Sequence, residues 1–401
     1  MAALDKSEIL KLVKEQQAGY SLKRPFYQDE AIYQAELERI FFQHWIYAGH
    51  SSEVANVGDY KTFEIDTESI IIVRSDKQTI KAHVNICRHR GSKLCLTNRG
   101  SKKRLVCPYH AWSYKLDGEL IAARNMPQDF DPATHGLHSV QLEMLGGFIF
   151  VCLKKTPPSF KLLRNELQAI TELFGFDHLK LAEQRAYSIP ANWKLAVENY
   201  QECYHCAPSH QEFARIHAMA QEPDAFQAAK QAYWQQHQDN PKFVAHNYYF
   251  NLAEPGHECY QYDRNPLNAN ALSGSLDGQA LAPLLGHLKS YDGGASELMV
   301  GPLSYFLLYD DHVLAYRFMP AGQFDCVCEV SWFVAESAIE GQDYQLDKLI
   351  ALWDITTQAD KKIIGDNQKG VHSRFYQSGR LSKGEAFQQS FLNWYLKAMA
   401  G

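Results

Sequence analysis

Two stretches of the 401-residue chain gather side chains that hold metals. The first reads Cys87-Arg88-His89, then seventeen residues, then Cys107-Pro108-Tyr109-His110, a C-x-H-x17-C-x2-H spacing in which each loop supplies one thiol and one imidazole. Two such pairs suit a two-iron, two-sulfide centre. Thiolates hold one iron, and neutral imidazoles leave the other less negatively charged, which raises the potential above that of an all-cysteine cluster. The chemistry is one-electron transfer. A structural Cys2His2 zinc site uses the same residue types, but a zinc finger puts its cysteines on a hairpin and its histidines on one helix.

The second stretch is "ECYHCAPSH", Glu202 to His210. On a 3.6-residue period Glu198, Glu202 and His205 fall on one helix face. His210 follows five residues later, about 140° away on an ideal helix. Pro208 is expected to break or kink the helix there and swing His210 back towards His205. Two histidines and a carboxylate on one face of an iron leave its other positions open, where O2 and a substrate can meet. A zinc reading instead takes Cys203 and Cys206, at helical i, i+3 spacing, as ligands beside His205 or His210. The plain reading of these thiols is packing beside the histidine segment.

The elements that must position these residues fall into two blocks. From about 47 to 154 the chain shows short β runs broken by turn residues, among them "SIIIVR" (69 to 74) and "GGFIFVCL" (146 to 153). Composition shifts at "KKTPPSF", where Pro157 and Pro158 mark a boundary. Helical patterns such as "NELQAITELFG" follow, then strands at 312 to 320 and 326 to 336. A closing helix is expected from about Gln342 to Gly370, with Leu346, Leu349, Ile350 and Trp353 at helical spacing. The predicted fold is α+β. A helical segment over 1–44 packs on the second block, an all-β iron–sulfur domain spans 45–155, and a catalytic domain with helices on an antiparallel sheet spans 156–401.

A formal net charge of −6 gives no basic surface for tracking phosphates, so no nucleic-acid partner is expected. The opening stretch carries acids and lacks an apolar signal region, and no apolar run approaches the roughly 18 residues that span a bilayer. A cytoplasmic protein with no membrane segment is the expectation. Nine cysteines there read as buried thiols or metal ligands rather than disulfides.

Residues 45 to 155, with "CPYHAWSYKLDGEL" around the second loop, resemble the Rieske domain of bacterial Rieske non-haem iron oxygenases. Pro108 and Tyr109 stand where respiratory Rieske proteins have an extra cysteine, so Cys95 is expected to be a free buried thiol. Asn199, Glu202, His205 and His210 match that family's pattern of Asn, two residues, an acid, two residues, His, four residues, His. The resemblance implies a terminal oxygenase (α) subunit with a helix-grip-like catalytic domain. It further implies a 2Fe–2S cluster on Cys87, His89, Cys107 and His110, and a mononuclear Fe(II) on His205, His210 and a distant Asp. That Asp stands eight residues before the Gln of a Q-x-G turn; Gln368-Lys369-Gly370 points to Asp360, with Asp366 competing. Asn199 and Glu202 are carried over as functional residues. Glu202 would link the cluster ligand His110 of one subunit to His205 of the next, which implies a homotrimer. Glu in place of the more usual Asp, beside "CYHC", is similar to the branch that oxidises carnitine and glycine betaine.

No Gly-rich dinucleotide fingerprint opens a βαβ unit, so a separate flavin or iron–sulfur reductase drawing on NAD(P)H is expected. Three functions stay open. One is monooxygenation of a quaternary or methylated amine, for which Trp234, Tyr248, Tyr249, Phe250, Tyr260, Tyr262, Tyr305 and Phe306 offer ring faces to a cation. The second is aromatic ring dioxygenation. The third is a Rieske electron carrier with a zinc- or partner-binding second domain.

Overall fold

The computed structural model describes residues 4–243 and 256–401. Helices α1 (Lys6–Lys14), α2 (Pro25–Gln28) and α3 (Glu30–Glu36) open the chain. Asp5 caps α1 by accepting from the Ser7 and Glu8 backbone N–H groups, satisfying donors that the first turn leaves free.

Strands β1 (Ile46–His50), β2 (Asp59–Ile65), β3 (Glu68–Arg74), β4 (Ile80–Val84), β5 (Arg99–Ser101), β9 (Ser139–Leu145) and β10 (Phe148–Cys152) form one seven-stranded sheet, in the order β1-β10-β9-β4-β3-β2-β5. Inserted between β5 and β9 is a small sheet of β6 (Leu105–Val106), β7 (Ser113–Tyr114) and β8 (Leu120–Ala122). Its core of Tyr60, Leu94, Leu105, Trp112, Tyr114 and Leu120 supports the two Cys/His loops from below. Gly118 turns this insert at φ +96°, and a Cβ there would meet the His83 ring at 2.7 Å.

After α4 (Lys161–Leu173) comes a six-stranded antiparallel sheet, β11-β16-β15-β14-β13-β12, made from β11 (Leu179–Ile189), β12 (Tyr260–Pro266), β13 (Gly294–Val300), β14 (Ser304–Leu308), β15 (Val313–Pro320) and β16 (Cys326–Ala335). Its central strands β14 and β15 are buried along their whole length because both faces of the sheet are covered. One face packs Phe306, Val313 and Phe333 against Tyr47, Phe148 and Phe150 of β1 and β10, and against α4. Each fully buried phenylalanine such as Phe148 stabilises this seam by about 1.5–3 kcal/mol. The other face packs Tyr305, Leu314, Tyr316 and Trp332 against α5 (Trp193–Tyr200), α7 (Gln211–Ile216) and the 27-residue α9 (Leu346–His372). The short α6 (Cys206–Ser209), α8 (Pro223–Gln236) and α10 (Ala386–Ala400) complete the chain. A long helix across one face of an antiparallel sheet agrees with the expected helix-grip-like α+β architecture.

A buried ion pair fixes α5. Lys194 Nζ and Glu36 Oε1 lie 2.6 Å apart with no exposure, and Glu36 also accepts from Trp193 Nε1 and from Tyr395 Oη on α10. Removing one partner of such a pair costs about 3–5 kcal/mol because the other charge is stranded. Among the described residues no helix is long and apolar enough to cross a membrane.

Candidate functional site

The first constellation sits at the exposed tip of the seven-stranded domain. His89 and His110 turn their Nδ1 atoms towards one another at 3.2 Å, and the His89 ring stacks on buried Trp112 at 4.8 Å. Cys87 Sγ lies 3.3 Å from the Tyr114 hydroxyl. Burial opposes ionisation of Cys107, yet the Tyr109 and His110 backbone N–H groups hold its thiol below the ordinary value; burial pushes Cys87 up. Two thiols in the apolar floor and two converging imidazole nitrogens at the surface fit a two-iron cluster, with sulfur ligands inside and histidine ligands outside. Cys95 is a free buried thiol, its pKa pushed up to about 11 by burial.

The second constellation departs locally from the sequence expectation. Helix α5 ends at Tyr200, and residues 201–205 form a non-helical turn, so Glu198, Glu202 and His205 do not share a helix face. Glu198 points the other way, accepting from the Tyr27 hydroxyl at 2.9 Å and from Gln388, and burial pushes its pKa up to about 7. Pro208 does not break a helix either. It lies in the first turn of α6, where its missing N–H costs nothing, and the chain bends instead at His210 (φ −133°, ψ 73°), between α6 and α7.

The turn also overturns the expected free thiols at 203 and 206. Cys203 and Cys206 form a disulfide, because the tight turn brings their Cα atoms to 4.9 Å, within disulfide reach. Paired sulfurs are not metal ligands, so this removes the zinc reading of that segment. The remaining seven cysteines are free.

His205, His210 and Asp360 meet, with one ligand atom from each within 4.8 Å of the others. Asp360 Oδ1 is 3.3 Å from His205 Nε2 and 2.8 Å from His210 Nε2. Cis ligands about 2.1 Å from an octahedral ion lie about 3 Å apart, so two neutral imidazoles and one carboxylate fit a divalent iron with its other positions free. His205 Nδ1 is held by Glu202 Oε1 at 2.6 Å, which orients the ring and aims Nε2 at the shared centre. Burial opposes a charge on His205, but the Asp360 and Glu202 carboxylates push its pKa up to about 9. Asn199 Nδ2 stands 3.3 Å from His205 Nε2. Asp366 lies away from this centre, exposed and paired with Lys369 at 2.8 Å.

Asp360 lies in mid-α9, and Gln368 to Gly370 belong to the same helix rather than to a turn. Gln368 nonetheless has a structural task that spacing alone did not reveal: its Oε1 accepts from the Asn192 backbone N–H at 2.7 Å, while the Asn192 side chain caps α5. This clamp ties the helix bearing Asp360 to the one leading into the histidine turn.

A cavity of about 700 Å³ opens from the three ligand residues. Tyr200, Phe213, Tyr305, Tyr309 and Trp353 line it, together with Glu297 of β13. His217 also faces it, bonded to the Tyr309 hydroxyl at 2.6 Å and kept neutral by burial, its pKa pushed down to about 4. Of the aromatics singled out from sequence, Tyr305 turns its ring towards this cavity, whereas the Phe306 ring packs on the opposite face of the sheet against Tyr47, Phe148 and Phe150. Trp234 and Tyr262 border a neighbouring one, and Tyr260 packs on the opposite face of the sheet. Tyr248, Tyr249 and Phe250 lie outside the described residues. Glu297 was missed; its only sequence signal is an acid alternating with Ala295 and Met299 on the inward face of a strand.

Residues 176–401 match the family described as ring hydroxylating alpha subunit (catalytic domain), and residues 44–142 match the Rieske [2Fe-2S] domain. The chain is 34% identical over 403 residues to the glycine betaine monooxygenase oxygenase subunit of Chromohalobacter salexigens, covering 97% of this chain and 88% of that one. It is 40% identical over 205 residues to the carnitine monooxygenase oxygenase subunit of Escherichia coli, 49% of this chain and 54% of the other. A solved quaternary ammonium Rieske monooxygenase superposes with a TM-score of 0.72 at 23% identity, covering 99% and 98% of the two chains. A matched catalytic domain also excludes a bare electron carrier. The chain belongs to the ring-hydroxylating α-subunit family and is the terminal oxygenase of a Rieske system, with a 2Fe–2S cluster and a mononuclear iron.

Proposed function

We propose that this oxygenase hydroxylates a methyl or methylene carbon next to nitrogen in a quaternary or methylated amine of the betaine or carnitine kind. The observation that carries the reading is the 34% identity to a glycine betaine monooxygenase subunit over 97% of the chain. The ring-lined cavity beside the three ligand residues supports it, since ring faces attract cations. The site residues take the following roles. Cys87, His89, Cys107 and His110 hold the cluster; His205, His210 and Asp360 hold the iron, which when bound supplies O2 activation at its free positions. Glu202 orients His205 and bridges it to the cluster ligand His110 of a neighbouring subunit in a homotrimer, giving electrons a hydrogen-bonded route from cluster to iron, and Asn199 borders the iron. The domain limits are 1–44, 45–155 and 156–401, and the system works in the cytoplasm with a flavin or iron–sulfur reductase fed by NAD(P)H.

The balance is one C–H bond, one O2, two electrons and two protons giving C–OH and one water. A hydroxymethyl group on nitrogen then collapses to formaldehyde and a tertiary amine. Product analysis with a surrogate reductase tests this. Formaldehyde or an aldehyde formed in step with NADH consumption is expected from glycine betaine or carnitine. Ring dioxygenation is the second reading, favoured by the description of the matching family. A cis-diol from simple aromatics, with no turnover of any quaternary amine, would establish it in place of the first.

A further inference from the structure

Among the described residues, the acids lining the cavity are Glu202, Glu222, Glu297 and Asp360. Three are accounted for. Glu202 is bonded to His205, Asp360 to both histidines, and Glu222 is exposed to solvent. Glu297 differs: among the described residues its carboxylate has no hydrogen-bond or ion-pair partner. It stands in the middle of β13, between Ala295 and Met299 along the strand, opposite apolar Leu307 of β14 on one side and beside the polar residues Gln261, Asp263 and Asn265 of β12 on the other. Glu297 is half-buried, and the protein neutralises the neighbouring acids in this sheet region. Asp263, opposite Glu297 on β12, pairs with Lys230, while Asp292 and Asp310 share Lys242 and Arg264.

A carboxylate taken out of water without a partner is costly, and such a group either takes up a proton or finds a cation. Among the described residues no free cation faces it in the cavity: His205 and His210 are held by Asp360, His217 is neutral, and Lys383 is exposed. The rings of Tyr200, Tyr305 and Tyr309 line the same space, with Tyr200 and Tyr305 centroids 4.7 Å apart. Ring faces favour a cation but hold neutral apolar groups too, so they discriminate weakly. An unpaired carboxylate discriminates strongly.

We propose that Glu297 is the counter-ion for the cationic head of the substrate, and that it sets the preference for an ammonium group over a neutral group of the same shape. This rests on the amine reading of the cavity and assigns its selectivity to one residue. The surroundings of Glu297 are consistent with a group that ionises when a cation arrives. Burial first, and then the Asp263 charge, push its pKa up to about 7, with Lys230 of α8 opposing. Tyr200 of α5 and Tyr309 after β14 are the other titratable groups in its electrostatic reach.

The test uses the holoenzyme with a reductase and two probes that differ only at the head, glycine betaine and its neutral-headed isostere 3,3-dimethylbutanoate. Glu297→Gln is expected to raise KM for glycine betaine by about ten- to a hundredfold, the usual loss for one partner of a desolvated charge pair, while KM for the isostere stays or falls. A variant that keeps the wild-type ratio of the two KM values would overturn the assignment while leaving the amine reading intact. Wild-type enzyme that neither binds nor oxidises any quaternary amine would overturn both. A measurement on unmodified protein stands beside the variant: KM for glycine betaine falls as pH rises through about 7, whereas that for the isostere does not follow. Parallel pH profiles for the two probes would count against Glu297 as the counter-ion.

Discussion

At the scale of single residues, His205 and Glu202 are neighbours with separable tasks. His205 offers Nε2 to the shared centre, and Glu202 grips the opposite nitrogen. His205→Ala removes one of three ligand atoms, so mononuclear iron should be lost while the Rieske absorption persists. Glu202→Ala leaves all three ligand residues in place. Both metals are then expected to stay bound while steady turnover falls by at least roughly tenfold, the size of loss found for groups that orient metal ligands. Iron analysis, the visible spectrum and turnover, measured on both variants, read this directly. Full iron occupancy in His205→Ala would refute the ligand role, and normal turnover in Glu202→Ala would refute the electron route. These positions were readable from spacing because ligand chemistry admits few residue types. Glu297 was not, because what matters there is a missing partner, and only three-dimensional packing shows that.

At the scale of elements, α5 and α9 must hold a fixed distance for His205, His210 and Asp360 to converge, and the Gln368 to Asn192 bond is their clamp. Gln368 is buried, so Gln368→Ala leaves the Asn192 N–H without its acceptor, at a cost of about 1–3 kcal/mol. Thermal melting should show that loss, and iron affinity should fall with it although no ligand is touched; unchanged melting and iron content would deny the clamp. Long elements were legible from the sequence. The apolar period of α9 and the β-rich runs of β3, β10, β15 and β16 lie where the pattern placed them, because a buried stripe or a buried strand dictates residue type. The segment from 201 to 210 was not. Propensity and the proline argued for one kinked helix, whereas the chain makes a disulfide-closed turn at Cys203–Cys206 and bends at His210, features that periodicity does not encode. His205, His210 and Asp360 still converge, though by a local route other than the one the sequence suggested.

At the scale of the whole molecule, the two metal sites of one chain do not touch. Among the described residues, neither His89 nor His110 contacts Glu202 or the helices around it; their ring partners are each other, Trp112 and Tyr109. Around the cluster tip Leu96 is 72% exposed and Tyr109 57%, and beside Glu202 Tyr204 is 63% exposed. Apolar groups left in water at both ends of the proposed electron path fit two surfaces that meet between copies. Electron flow across a subunit boundary has a quantitative signature. Chains carrying Cys107→Ser are expected to lack the cluster, chains carrying His205→Ala to lack the iron, and each alone to be inactive. Co-expressed in equal amounts, they assemble at random, and about one junction in four places an intact cluster against an intact iron in a head-to-tail ring. The mixture should therefore recover about a quarter of wild-type activity. Transfer within one chain predicts none, because no chain holds both centres, and the same null result would follow if the protein worked as a monomer.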